Sequence, residues 1–232
     1  MVSPPDFADF VVIGAGSAGC IVASRSAESG HSVVLLEAGD AAEAHPETLR
    51  ADGFKDAFAG DATMWQRMSA KMPGMGRKYL GTGRGMGGSG SVNGMVYTRG
   101  DARDYANWGA GWQWADCLPA FEAVEARLQP RPHPVTPFVR RFIDACVSAG
   151  MQEEKGLNSG NLSAKVGANA MNYAGDKRRS SYRAFIKEPL AEKGHPLREH
   201  LRIVLGAQVQ GIVFDGKKAQ VVRYVHKGKT QE

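Results

Sequence analysis

Cysteine is scarce in this chain. Cys20, Cys117 and Cys146 are scattered and odd in number, which leaves no basis for a disulfide framework and reads as buried thiols in a reducing compartment. No Cys/His/Asp spacing of a metal centre occurs, so no metal is expected. Long apolar runs are missing too. None approaches the ~20 residues of a membrane helix, and the opening MVSPPDFADF has no basic, apolar leader, so a cytoplasmic protein without a membrane partner is expected. Ser89, Ser91, Ser180 and Ser181 lack the G-x-S-x-G elbow of a hydrolase. Acidic residues are sparse at one end: residues 177–232 hold 13 Lys+Arg against 5 Asp+Glu, and the rest hold 16 against 19, for a net +5. The basic residues are strewn through β-prone runs without a stripe or interleaved aromatics, so nucleic acid is not an expected partner.

Glycine, at 29 residues, is what the chain has in excess. The first concentration follows FVVI (10–13), a short apolar run that reads as a buried parallel strand. GAGSAG comes next, then the helical stretch CIVASRSAESG ending at Gly30, then the strand VVLLE closing on Glu37. This is the pattern of a dinucleotide-binding βαβ unit. Gly14 permits the tight turn, Gly16 lets a pyrophosphate approach the backbone, and Gly19 lets helix and strand pack closely. The exposed N–H groups and the helix dipole favour phosphate. Glu37, 23 residues beyond Gly14, stands where an acid meets a ribose hydroxyl and would repel a 2′-phosphate, which argues against NADP.

NAD and FAD both use such a unit. The second concentration, GRGMGGSGSVNG at 83–94, bears on the choice. Its glycines and serines let backbone amides lie against an extended ligand, Asn93 adds an amide that donates and accepts, and Val92, Met95, Val96 and Tyr97 return the chain to a core. A pyridine-nucleotide dehydrogenase would use the first loop but leave this one unexplained. A non-catalytic chain that binds no cofactor is the other alternative.

The pair VVIGAGSAG…LLEAG and GRGMGGSGSVNGMVYTRGDARDYANW resembles the glucose–methanol–choline (GMC) family of FAD-dependent oxidoreductases, in particular its choline-dehydrogenase-like and hydroxymethylfurfural-oxidase-like members. WGAGWQWADCLPAFEAVE (108–125), RRSSYRAFI (178–186) and HLRIVLGAQVQGIVF (200–214) resemble later segments of that family in the same order. The resemblance implies an α/β fold: an incomplete Rossmann-like FAD-binding domain with part of an α+β substrate or cap domain. The expected division is 1–110 for the βαβ unit and second loop, 111–176 for the partial cap, and 177–232 for the return to the FAD-binding domain.

The resemblance also implies site residues. Gly14, Gly16 and Gly19 would hold the FAD pyrophosphate and Glu37 the adenosine ribose, with Ser17, Ala18 and Ala38 also among the cofactor-binding residues. Arg84, Gly88 and Ser89 would lie along the ribityl and phosphate portion. Asn93, Gly94 and Met95 would sit beside the isoalloxazine ring, Val209 would meet the adenine through its backbone, and Trp65 is either a cofactor neighbour or plain core. Two departures stand out. Met86 replaces the usual Leu, Ile or Val, and Val92 stands where relatives with covalent flavin carry a histidine, so FAD is expected to be noncovalent. The four prolines of RLQPRPHPVTP (127–137) suggest a stiff connector.

Read without the family, Leu118, Phe121, Val124 and Leu128 share a helical face with Asp116 as N-cap. Thr136, Pro137 and Gly150 bracket a second helix. Residues 151–176 read as loop, and Asp215-Gly216 reads as a hairpin turn before a second turn and one more strand. The six histidines (His31, His45, His133, His195, His200 and His226) read as surface residues, with no glycine-rich loop or carboxylate partner setting any of them. The expectation is the FAD-binding part of an alcohol-oxidising enzyme that passes hydride to flavin N5. Its catalytic residues would lie in a missing C-terminal half, either absent or a separate peptide.

Overall fold

The computed structural model describes residues 7–65, 71 and 73–232, so the first six residues of the opening decapeptide lie outside it. The chain divides into two compact units: Met1–Asn93 with Asp176–Glu232, and Gly94–Gly175.

The first unit is built on a parallel sheet. Strand β1 (Phe10–Ile13) leads into helix α1 (Ser17–Glu28), which returns the chain to β2 (Val33–Leu36); β3 (Leu201–Val204) lies on the other side of β2. Phe10 is level with Val33 and Ile13 with Leu36, and β3 keeps the same register from Leu201↔Val33 to Val204↔Leu36. Helix α1 carries the chain back so that β2 runs in the same direction as β1, which makes the pairing parallel. All four residues of β2 are buried, whereas β1 corrects the expectation of a buried strand: it is an outer strand, and Phe10, Val11 and Ile13 are each more than 40% exposed. Helix α1 buries Cys20, Ala23 and Ala27 against Val33, Leu35, Ile186 and Leu197. Small residues on its inner face let helix and sheet approach closely, and Gly30 takes φ +85° just past the helix end.

An antiparallel meander follows β3: β4 (Gln208–Asp215), β5 (Lys218–His226) and β6 (Lys229–Gln231). Asp215 pairs with Lys218 across Gly216 (φ +57°), and His226 pairs with Lys229 across Lys227 and Gly228. Both are the two-residue turns with positive φ that suit the twist of a hairpin, and both fall where the sequence indicates.

The second unit mixes helices with very short strands, in line with an α+β class. Helix α2 (Trp114–Leu128) half-buries Leu118, Phe121 and Val124 and buries Leu128, as the periodicity predicts. It starts earlier than expected. Gln113 is the N-cap, and Asp116 sits three residues in, accepting from the Gln113 N–H at 3.0 Å. Helix α3 (Pro137–Ser148) is capped by the Thr136 hydroxyl, which accepts from the Val139 N–H at 3.3 Å. The stretch expected as loop contains two-residue strands: Ala170–Met171 pairs with both Val96–Tyr97 and Arg131–Pro132. Glu125 on α2 is gripped at 2.6 Å by both Nε and Nη2 of Arg99, and accepts from the Tyr97 hydroxyl at 2.8 Å.

Candidate functional site

The three glycines of the first loop do three different things. Gly14 has φ +91°, which excludes an ordinary side chain, and its N–H reaches the Leu36 carbonyl at 2.7 Å. Gly19 has no room: a Cβ there would collide with the carbonyl oxygen of Gly14. Gly16 is extended and caps α1 with no side-chain hydrogen bond, and a Cβ there would meet nothing within 4 Å. Its missing side chain therefore leaves space, in front of helical N–H groups that no side chain satisfies.

The second glycine loop lies directly against the first. The Gly87 N–H donates to the Ala15 carbonyl at 2.7 Å, and a Cβ on Gly88 would come within 2.8 Å of Gly16 Cα. Further along, Gly90 leaves room for Ser17, whose hydroxyl oxygen would be 2.8 Å from an added Cβ. Positive φ at Gly85, Gly87 and Gly88 gives the loop a path that side chains would forbid.

Glu37 ties the loops together. It is 6% exposed; Oε2 accepts from the Ala15 N–H at 2.7 Å, and Oε1 accepts from the N–H groups of Gly39 and Gly85, each at 2.9 Å. A carboxylate has about four acceptor positions, so three are spent inside the protein. This tie to Gly85, 48 residues away, is not visible in the sequence, where Glu37 reads only as a ribose partner. Met86 donates its N–H to the Asp40 carbonyl at 3.1 Å. Behind the first loop the Cys20 thiol donates to the Ala15 carbonyl at 3.2 Å, and burial pushes its pKa up to about 12, which keeps it protonated and unreactive.

Between these elements lies an open cleft of ≈ 570 Å³. Nine of the expected site residues line it: Gly14, Gly16, Ser17, Glu37, Ala38, Trp65, Gly88, Ser89 and Val209. Trp65 is thus a cleft residue rather than plain core. Ala18, Gly19, Arg84 and Asn93 are outside the lining, and Gly94 and Met95 belong to the second unit. Arg84 is close behind. Its Nη2 donates to the Ala38 carbonyl at 3.1 Å, its guanidinium stands 5.0 Å from the Trp65 ring centroid, and its Nε is buried with no acceptor among the described residues. Six lining residues were missed: Ile13, Leu36, Thr82, Gly83, Ala207 and Gln208. Ile13 and Leu36 end β1 and β2, and ligands of open parallel sheets bind at carboxyl ends of strands, so that rule could have named them. Ala207 and Gln208 adjoin Val209 and are held by the Ala207 N–H, which donates to the Glu37 carbonyl at 2.8 Å.

The residues fit a dinucleotide. Gly16 offers open space at a helix N-terminus, the second loop closes beside it, and an orphaned Arg84 donor lies behind. Among the described residues no group of His, Cys, Asp and Glu could hold a metal, and no helix is long and apolar enough to cross a membrane. His45 lies 3.3 Å from Asp40 and 3.7 Å from Glu47, and His195 lies 4.0 Å from Glu28. The expectation that no histidine has a carboxylate partner therefore fails for these two.

The chain matches the GMC oxidoreductase family over residues 8–232. The oxygen-dependent choline dehydrogenase of Vibrio vulnificus (strain YJ016) is 32% identical over 243 residues, 93% of this chain and 41% of the relative. That of Paraburkholderia xenovorans (strain LB400) is 31% identical over 255 residues, 95% and 42% respectively. The chain thus spans about two-fifths of the length of these curated relatives. Among solved structures, pyridoxine 4-oxidase from Mesorbium loti superposes with a TM-score of 0.83 at 24% identity, covering 97% of this chain and 47% of that one. An FAD-dependent oxidoreductase from Chaetomium thermophilum reaches 0.77 at 22% identity, covering 97% and 43%. The structural likenesses establish the fold. Together with a match that runs almost end to end and includes both glycine loops, they accompany a single conclusion: the chain belongs to the GMC oxidoreductase family.

Proposed function

We propose that this chain is the FAD-binding part of a flavoenzyme that oxidises the CH–OH group of a small alcohol, choline being the alcohol in the names of its curated relatives. The observation that carries this reading is the meeting of the two glycine loops, with the Gly87 N–H on the Ala15 carbonyl and Gly88 against Gly16. A nicotinamide site needs the first loop only. The second makes the cleft a channel for a longer ligand.

In this reading Gly14, Gly16, Ser17 and the first turn of α1 around Ala18 receive the diphosphate through backbone N–H groups. Gly19 keeps α1 close enough for this. Glu37 has one acceptor position left for a ribose hydroxyl beside Ala38, and Val209 borders the adenine end. Arg84, Gly88 and Ser89 follow the middle of the cofactor, Trp65 walls it, and Asn93 borders the ring. Bound FAD supplies the acceptor, at N5, for the hydride leaving the alcohol carbon; the polypeptide binds, orients and excludes water. Val92 offers no nucleophile for a flavin bond, so attachment is noncovalent. No histidine of this chain is assigned as the base that takes the hydroxyl proton; that group belongs to a complementary polypeptide segment.

The test is direct. The chain is incubated with FAD or with NAD, passed through a desalting column and examined by visible absorption. Retained flavin bands that acid precipitation releases quantitatively to the supernatant are expected. Retention of NAD with no retention of FAD would overturn the reading. Oxidation of choline or a similar alcohol is expected only when the complementary segment is added to the FAD-loaded chain.

A further inference from the structure

Arg178 is 1% exposed, the largest side chain among the fully buried residues. Its Nη1 donates to the Asn93 carbonyl at 2.8 Å, to Asn93 Oδ1 at 2.8 Å and to the Gly90 carbonyl at 3.3 Å. Its Nε and Nη2 are buried with no acceptor among the described residues. Other arginines of the chain use that same edge as a fork: Nε and Nη2 grip Asp52 from Arg50, Glu125 from Arg99, and Asp101 from Arg103. On Arg178 the fork meets no carboxylate among the described residues. Burial pushes its pKa down to about 10, which leaves it cationic at neutral pH.

A buried charge without a counter-ion is costly, so its position is informative. The carbonyls it holds belong to the second glycine loop. Gly90 packs on Ser17, the first residue of α1 and part of the cleft wall. Arg178 is therefore linked through a single residue, Gly90, to Ser17 at the helix N-terminus that already favours anions. In a wall of low dielectric a full charge acts over several ångströms with little screening.

We propose that Arg178 is a positioning residue for the ligand's diphosphate: it orders the Gly90–Asn93 turn and sets an uncompensated positive charge one residue, Gly90, away from Ser17 of the cleft wall. This rests on the reading that a dinucleotide occupies the cleft, and on the diphosphate rather than the flavin.

The experiment titrates FAD, ADP and adenosine into the 232-residue chain, followed by calorimetry or NMR, for the wild type, Arg178→Met and Arg178→Lys. Arg178→Met is expected to weaken FAD and ADP at least tenfold and adenosine less than twofold, and to flatten the salt dependence of ADP binding. Arg178→Lys is expected to restore ADP to within threefold of the wild type. Equal weakening of ADP and adenosine would mean that the side chain only supports the loop, and unchanged ADP binding would remove its role altogether; either overturns the proposal. If Arg178→Met does not fold, Arg178→Gln against Arg178→Lys decides the same contrast. A wild type that binds ADP but not FAD sinks the flavin reading, while the ADP–adenosine contrast still decides Arg178.

Discussion

Three glycines of one motif make different physical demands, and substitutions separate them. Gly16→Val places its side chain in open cleft space, so it should cost about 1 kcal/mol of stability through the poorer N-cap while abolishing retention of FAD on a desalting column. Gly19→Ala drives a methyl into the Gly14 carbonyl and should cost about 3 kcal/mol or more in denaturant unfolding, as severe overpacking does. A result with the two reversed would mean that the roles are misassigned. Glu37→Gln leaves one oxygen facing three N–H donors, and urea titration should show a loss of about 3 kcal/mol, the upper range for hydrogen bonds to a charged group. The motif spacing made the glycines and the position of Glu37 legible. The bond from Glu37 to Gly85 was not, because no local pattern reports a contact across 48 residues. The burial of Arg178 was hidden for a similar reason: nothing local in RRSSYRAFI marks a basic residue as buried.

At the level of elements, legibility followed the strength of the local signal. The βαβ unit, α3 and both hairpin turns have caps, periodicity or turn residues, and each forms where the sequence indicates. The start of α2 was misread because Asp is a favoured N-cap; here it serves three residues in, as the acidic partner of a capping box with Gln113. The two-residue strands within 151–176 are too short for a period of two to show. Thr136→Ala should weaken α3 by about 1 kcal/mol, the usual cost of losing a cap, measured by denaturant titration of the chain. Asp101 gives a pH signature. Its carboxylate is held well below the usual range by the Arg103 guanidinium and by the N–H groups of Leu162 and Arg103. A depressed folded pKa contributes stability that is present above the unfolded value of about 3.9 and lost as pH falls below it. The melting temperature should therefore fall between pH 5 and pH 3, and Asp101→Asn should start lower at pH 7 and fall less over that interval.

For the whole molecule, the sequence made the first unit's architecture more legible than its surface. The apolar run of β1 read as buried, yet in this chain β1 is an outer strand, and exposure of that kind depends on neighbours that no local pattern names. What does follow from chain-wide pattern is that two glycine-rich segments, 64 residues apart in sequence, converge on one cleft. Hydrogen exchange of the backbone amides with and without saturating FAD tests this most directly. Amides of 14–19 and of 83–91 should slow together on addition of FAD, along with those of 207–209. Slowing confined to 14–19, or in neither glycine segment, would contradict the account.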